Sequence, residues 1–139
     1  MSLISKSITL RVPSKIIYNA IKDTRLEDNF PEFFIGVKKI VTNDMPYSQI
    51  TFKTITYDNQ ILIFETFKLK ISGKNNTLIE YITKTNINEK IEIAESIIQT
   101  HIANILYALL MLETGYVNGK IEKINREKST SSTTFRNLR

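Results

Sequence analysis

Residues 3–12 alternate, with Ile4, Lys6, Ile8, Leu10 and Val12 on one side and Leu3, Ser5, Ser7, Thr9 and Arg11 on the other. This period of two is the signature of a half-buried strand. Pro13-Ser14-Lys15 then opens a helical stretch in which Ile16, Ile17, Ala20 and Ile21 share a face, and Asp23-Thr24 closes it. A short second helix is predicted over residues 26–30, just before Pro31. From Gly36 the period of two returns. Turn chemistry at Asn43-Asp44-Met45-Pro46, Asp58-Asn59 and Ser72-Gly73-Lys74-Asn75-Asn76 divides residues 36–87 into strands at 37–41, 48–57, 60–71 and 77–87. Short turns between neighbours make this a consecutive antiparallel meander. The third of these strands is apolar on both faces in its first half, which calls for a bulge or bend near Glu65.

After Asn88 the period becomes 3.6. Ile91, Ala94, Ile98, Ile102, Ile105, Leu109, Leu112 and Tyr116 step by three or four residues and predict a long helix. Asn86 or Asn88 would cap its start, and Glu89, Glu92 and Glu95 suit the positive end of the helix dipole. Gly115 ends or kinks it, with a second helical stretch reaching about Arg126. From Ser129 the apolar period is lost, so residues 1–128 are expected to form one domain and residues 129–139 a polar, disordered tail.

Composition narrows the chemistry. The 139 residues include no cysteine, which removes disulfides, thiolate zinc sites and cysteine nucleophiles together. The longest unbroken apolar run, residues 105–112, falls far short of the ~20 residues that span a bilayer, and no signal-peptide pattern opens the chain. A cytoplasmic protein is expected. The net charge of +5 is unevenly placed: residues 116–139 hold six basic and two acidic side chains, and residues 1–115 hold 13 and 12. The terminal segment is therefore the part expected to touch an anionic membrane surface transiently, or nucleic acid. The domain carries no strong nucleic-acid signal.

A strand, two short helices, an antiparallel meander and one long terminal helix form an α+β arrangement with the element order of the helix-grip fold, a curved sheet wrapped around the long helix. The stretch Val12-Pro13-Ser14-Lys15-Ile16-Ile17-Tyr18-Asn19-Ala20-Ile21-Lys22-Asp23 resembles the first-helix pattern of the START-like (SRPBCC) superfamily, with Ile17, Tyr18 and Asp23 at matching positions. Pro31 followed by Gly36-Val37-Lys38-Lys39-Ile40 resembles the approach to that superfamily's second strand. Val12 stands where alanine is usual and Tyr18 where tryptophan is common, and the meander has four strands rather than six. Within the superfamily the chain is most similar to a small family of thermoacidophilic archaea. The resemblance implies an apolar cavity between sheet and long helix, used for lipids, sterols, polyketides or similar molecules. The superfamily includes carriers, enzymes and regulatory proteins, so the fold alone does not choose among them.

The residues expected to line such a cavity are Ile98, Ile102, Ile105 and Leu109 on the helix, and Phe52, Phe67 and Tyr81 on the sheet. If Ile79 faces inward, so do Tyr81, Thr83 and Thr85. His101, the single histidine, lies about 55° from the centre of the apolar stripe. It has three readings: an acid or base, a polar contact to a ligand, or a satisfied histidine at the core edge. With no cysteine and no second histidine it has no metal-ligand spacing. Tyr18, Tyr81 and Tyr107 are proton donors for cyclase-type chemistry or plain core aromatics. Phe30, Phe33 and Phe34 form either a lid over a pocket mouth or ordinary packing. Lys6 either points inward to pair with a lipid carboxylate or reaches solvent. On the far side of the long helix, Ile93, Ile97, Tyr107 and Met111 offer a homodimer contact or burial under the tail. No phosphate-binding glycine loop and no G-x-S-x-G or H-E-x-x-H motif occurs, so no cofactor or metal is expected. The leading expectation is non-enzymatic carriage of a hydrophobic small molecule, a long-chain fatty acid or similar lipid. The alternatives are a cyclase or dehydratase acting through His101 and a tyrosine, and an interaction module with a filled core and a basic C-terminus.

Overall fold

The 13-residue strand at Ile61–Gly73 runs through the middle of the sheet, paired on both sides from Ile63 to Lys68. The computed structural model describes residues 2–56, 61–85 and 91–128. In chain order these form β1 (Ser2–Leu10), α1 (Ser14–Lys22), α2 (Arg25–Asn29), a 3-10 turn (Pro31–Phe33), β2 (Lys38–Met45), β3 (Gln49–Thr56), β4 (Ile61–Gly73), β5 (Asn76–Thr85) and α3 (Ile91–Lys128). The strands make one antiparallel sheet in the order β1-β5-β4-β3-β2. This is the α+β architecture expected from the chain's periodicity.

Pro13 begins α1, its extended backbone turning so that its carbonyl accepts the N–H groups of Ile16 and Ile17. Apolar α1 residues Ile17, Ala20 and Ile21 are buried. The inward row of the sheet is set by the pleat: Ile63, Glu65, Phe67 and Leu69 of β4, Ile50, Phe52, Thr54 and Thr56 of β3, and Ile79, Tyr81, Thr83 and Thr85 of β5 are all buried. Against this row α3 lays its stripe of Ala94, Ile98, Ile102, Ile105 and Leu109. The α3 segment Ala94–Gly119 is long and apolar enough to cross a membrane by length and composition. One third of its most apolar window is buried.

At its C-terminal part α3 is tied to the end of β1. The Arg11 backbone N–H donates to Glu113 Oε2 at 2.8 Å, and the Arg11 Nε–H donates to the same oxygen at 3.1 Å. On the inner face Ile50, Leu69, Thr77 and Ile79 lie toward one end of the strands, and Thr54, Thr56, Ile63, Thr83 and Thr85 toward the other, with Glu65 between.

Four expectations change. The register between β3 and β4 is unbroken through Glu65, so no bulge occurs there. Strict alternation continues, with Leu62 and Phe64 partly exposed on the outer face and Glu65 inward. The irregularities lie instead between Val41 and Asn43 and between Ile71 and Gly73. Asn43-Asp44-Met45 is not a turn but the continuation of β2 beyond its irregularity. The chain reverses after it, where Tyr47 takes a left-handed φ of 68° and the Ser48 N–H donates to the Met45 carbonyl. Strand β1 ends at Leu10 rather than Val12. Helix α3 continues through Gly115 and Gly119, since one glycine weakens a helix by only ~1 kcal/mol. The expected caps at Asn86 or Asn88, the position of Glu89 and the polar tail lie outside the described residues.

Candidate functional site

An acidic residue in the middle of a central strand, facing a hydrophobic helix, needs partners for both carboxylate oxygens. Glu65 has them from four other elements or strands. Its Oε1 accepts from the Thr54 hydroxyl of β3 and lies 3.0 Å from the Lys39 ammonium of β2. Its Oε2 accepts from the Tyr81 hydroxyl of β5 and lies 2.8 Å from His101 Nε2 of α3. An ionised carboxylate only accepts, so His101 carries its proton on Nε2. Lys39 also reaches Glu27 Oε2 of α2 at 2.7 Å and lies 4.9 Å from the Phe52 ring centroid and 5.7 Å from that of Phe67. Glu65 is wholly inaccessible to solvent.

The protonation states follow from this geometry. Burial alone would raise the Glu65 carboxyl, but the Lys39 charge, the nearby His101 and the hydrogen bonds from His101 and Thr54 hold it well below the usual range. Burial likewise acts to lower Lys39, and the two carboxylates of Glu65 and Glu27 overcome it and raise the ammonium. For Tyr81, burial and the adjacent Glu65 charge act together and push the phenol well above its ordinary value, so it remains a donor. Two carboxylates, Glu65 buried and Glu27 partly so, thus face the one Lys39 ammonium. Glu27 Oε1 is buried without a hydrogen-bond partner among the described residues, which leaves one acceptor in the cluster unused.

Of the residues expected to form a binding wall, Phe52, Phe67, Tyr81, Ile98, Ile102, Ile105 and Leu109 come together in one buried cluster. Phe67 stacks on Tyr81 at 4.7 Å and meets Phe52 edge-on at 6.1 Å. Phe34 is buried and packs edge-on against His101, above the charged group. Phe33 is placed elsewhere. It is 37% exposed, stacks on Phe30 and packs against Tyr107 on the other side of α3, and its carbonyl accepts from the Asn104 amide. Tyr18 and Tyr81 both belong to this core, but of the three tyrosines only Tyr81 bonds to Glu65. Tyr18 is buried against Tyr47, while Tyr107 is partly exposed beneath Phe30 and Phe33. Lys6 is in register with inward Tyr81 yet exposed, so its long side chain reaches solvent.

Sequence reasoning missed Glu65, Lys39, Thr54 and Glu27. Glu65 had a signal: once Ile63, Phe67 and Leu69 are assigned inward, parity places Glu65 inward too. Lys39 and Glu27 had none, because their meeting depends on α2 crossing the start of β2. No group of three or more potential metal-ligating side chains is found among the described residues.

The sequence matches no family model and none of the curated proteins, so the narrower archaeal resemblance gains no support. Solved structures do match. The di-domain ARO/CYC BexL of the BE-7585A biosynthetic pathway aligns with a TM-score of 0.58 at 12% identity, covering 82% of this chain and 46% of that one. Norcoclaurine synthase of Thalictrum flavum, a point mutant in complex with a transition-state analogue, aligns at 0.55 with 14% identity, covering 83% and 95%. An HSP90 activator from Plasmodium falciparum aligns at 0.55 with 15% identity, covering 78% and 96%. At these identities the shared property is the fold. This chain is a helix-grip protein whose sheet and long helix enclose a buried Glu65-centred cluster.

Proposed function

We propose that the protein binds an apolar small molecule between the inner sheet face and α3, with the Glu65 cluster as the polar end of the site. The observation that carries this reading is the burial of an ionised Glu65 on Lys39, His101, Tyr81 and Thr54 inside the core. Apolar residues of similar volume would serve stability as well or better than a buried ion pair, and perturbed groups of this kind concentrate at functional sites. The wall of Phe52, Phe67, Ile98, Ile102, Ile105 and Leu109 supplies the apolar complement. Each ligand methylene buried there contributes ~0.8 kcal/mol before entropic losses.

A long-chain fatty acid or similar lipid is the narrower member of this class. Its carboxylate would join two carboxylates that already outnumber the one ammonium, and the unused acceptor on Glu27 favours a hydroxyl or amine instead. The test is mass spectrometry of solvent extracts of the purified protein, with thermal shifts measured on decanol, decylamine and decanoate at neutral pH. Decanol and decylamine are expected to raise the melting temperature more than decanoate. An empty extract together with no shift from any of the three overturns the proposal.

One observation favours a second reading, acid–base catalysis on the bound molecule. The Tyr81 hydroxyl and His101 Nε2–H donate to the same Glu65 oxygen, which connects two proton carriers through one carboxylate. Turnover of an extracted ligand that survives Tyr81→Phe and His101→Ala unchanged eliminates this reading and leaves binding intact.

A further inference from the structure

By sequence, residues 1–115 are almost neutral, with 13 basic and 12 acidic side chains. Their placement in the fold is not. Strand parity puts Lys38, Lys53, Lys68, Lys70 and Lys84 on the outer face of the sheet, with Glu80 as the single acidic residue among the described outward positions. Lys38, Lys53, Lys70 and Lys84 are exposed, and none of the five forms an ion pair among the described residues. On the opposite side of the sheet, residues 91–115 of α3 carry Glu92, Glu95 and Glu113 and no lysine or arginine. Lysines unpaired among the described residues are therefore concentrated on the outer face of the sheet.

The outer face is apolar as well as basic. One cross-strand row reads Ile40, Lys53, Phe64, Lys84, Leu3 from β2 to β1. In it Ile40 is 62%, Phe64 42% and Leu3 63% exposed. With strands ~4.8 Å apart, Lys53 and Lys84 stand about 10 Å from each other on either side of Phe64. Leu62 adds a further exposed apolar side chain next to this row.

We propose that this outer sheet face docks on an anionic lipid bilayer. The lysines would meet the lipid phosphates, Leu3, Ile40, Leu62 and Phe64 would enter the headgroup boundary, and residues 91–115 of α3, which carry no lysine or arginine, would be turned away. The face suits lipid better than single-stranded nucleic acid. Base stacking needs aromatic platforms, and Phe64 is the only aromatic among its described outward positions. The proposal is independent of the buried Glu65 site.

The test is flotation of the full chain with vesicles of phosphatidylglycerol and phosphatidylcholine, against phosphatidylcholine alone, at low and high salt. The expected result is binding to the anionic vesicles only, weakened as salt rises. Lys53→Glu with Lys84→Glu should weaken it at least ~10-fold, and Phe64→Ser should weaken it with less dependence on salt. Thermal melts of these variants confirm folding. The proposal is overturned if the wild-type protein ignores anionic vesicles, or if it binds an oligouridine RNA in their place. It is also overturned if Lys120→Glu with Lys123→Glu abolishes vesicle binding while the sheet variants leave it unchanged.

Discussion

Glu65 shows how one side chain can be both the costliest and the most connected in a core. Its four contacts exist because β2, β3, β5 and α3 all converge on the same point of β4. Removing one partner strands the rest, so Lys39→Met should destabilise the fold by about 3–5 kcal/mol in urea denaturation. The double variant Lys39→Met with Glu65→Leu should recover most of that loss, since an apolar replacement of a buried pair is often neutral. A double variant as unstable as the single one would contradict this account of the cluster. The pH dependence has a definite sign. The Glu65 carboxyl is lowered on folding, so its contribution is present above the unfolded carboxylate value near pH ~4.3 and is lost as pH falls through the lower folded value. Lys39 is raised, so its contribution is complete below pH ~10.4 and is lost only above that. Melting temperatures measured from neutral pH down to about pH 2 should fall more steeply for the wild-type protein than for Glu65→Gln.

At the scale of elements, β4 and α3 define the protein, and polar contacts tie α3 to the sheet at two separate points. One is the Glu65–His101 contact in the middle. The other is the Glu113 carboxylate at the end of β1. Glu113 is held below the usual carboxyl range chiefly by the Arg11 backbone N–H, ahead of the Arg11 side chain. Glu113→Ala should therefore cost about 1 kcal/mol of stability, whereas Arg11→Ala, which keeps the backbone donor, should cost less. Equal losses in urea denaturation would reverse this ranking. The β4 sequence also explains why a bend was expected where none exists. Leu62 and Phe64 look like core residues, yet they occupy outward positions whose exposure the lipid-docking proposal explains.

For the whole molecule, the element order, the antiparallel meander, the inward run of Ile79, Tyr81, Thr83 and Thr85, and the buried stripe of α3 were all legible in the sequence. Each depends on a local period, two for strands and 3.6 for the helix, that backbone geometry imposes on neighbouring residues. The packing of the wall residues was legible for the same reason, apart from Phe33, whose short connection carries no period to fix its direction. What local periodicity cannot carry is contact between distant positions. Glu27, Lys39, Glu65, Tyr81 and His101 span 75 positions of the chain, and none of their spacings forms a motif. Charge behaves in the same way. Counting along the chain gives a neutral domain with a basic end, and only the pairing of strands reveals that lysines gather on one face of the sheet. The sequence by itself determined which residues point into the core, because that depends on neighbours one to four positions away. The tertiary structure decided which of them meet, because that depends on register and on where α2 and α3 cross the sheet.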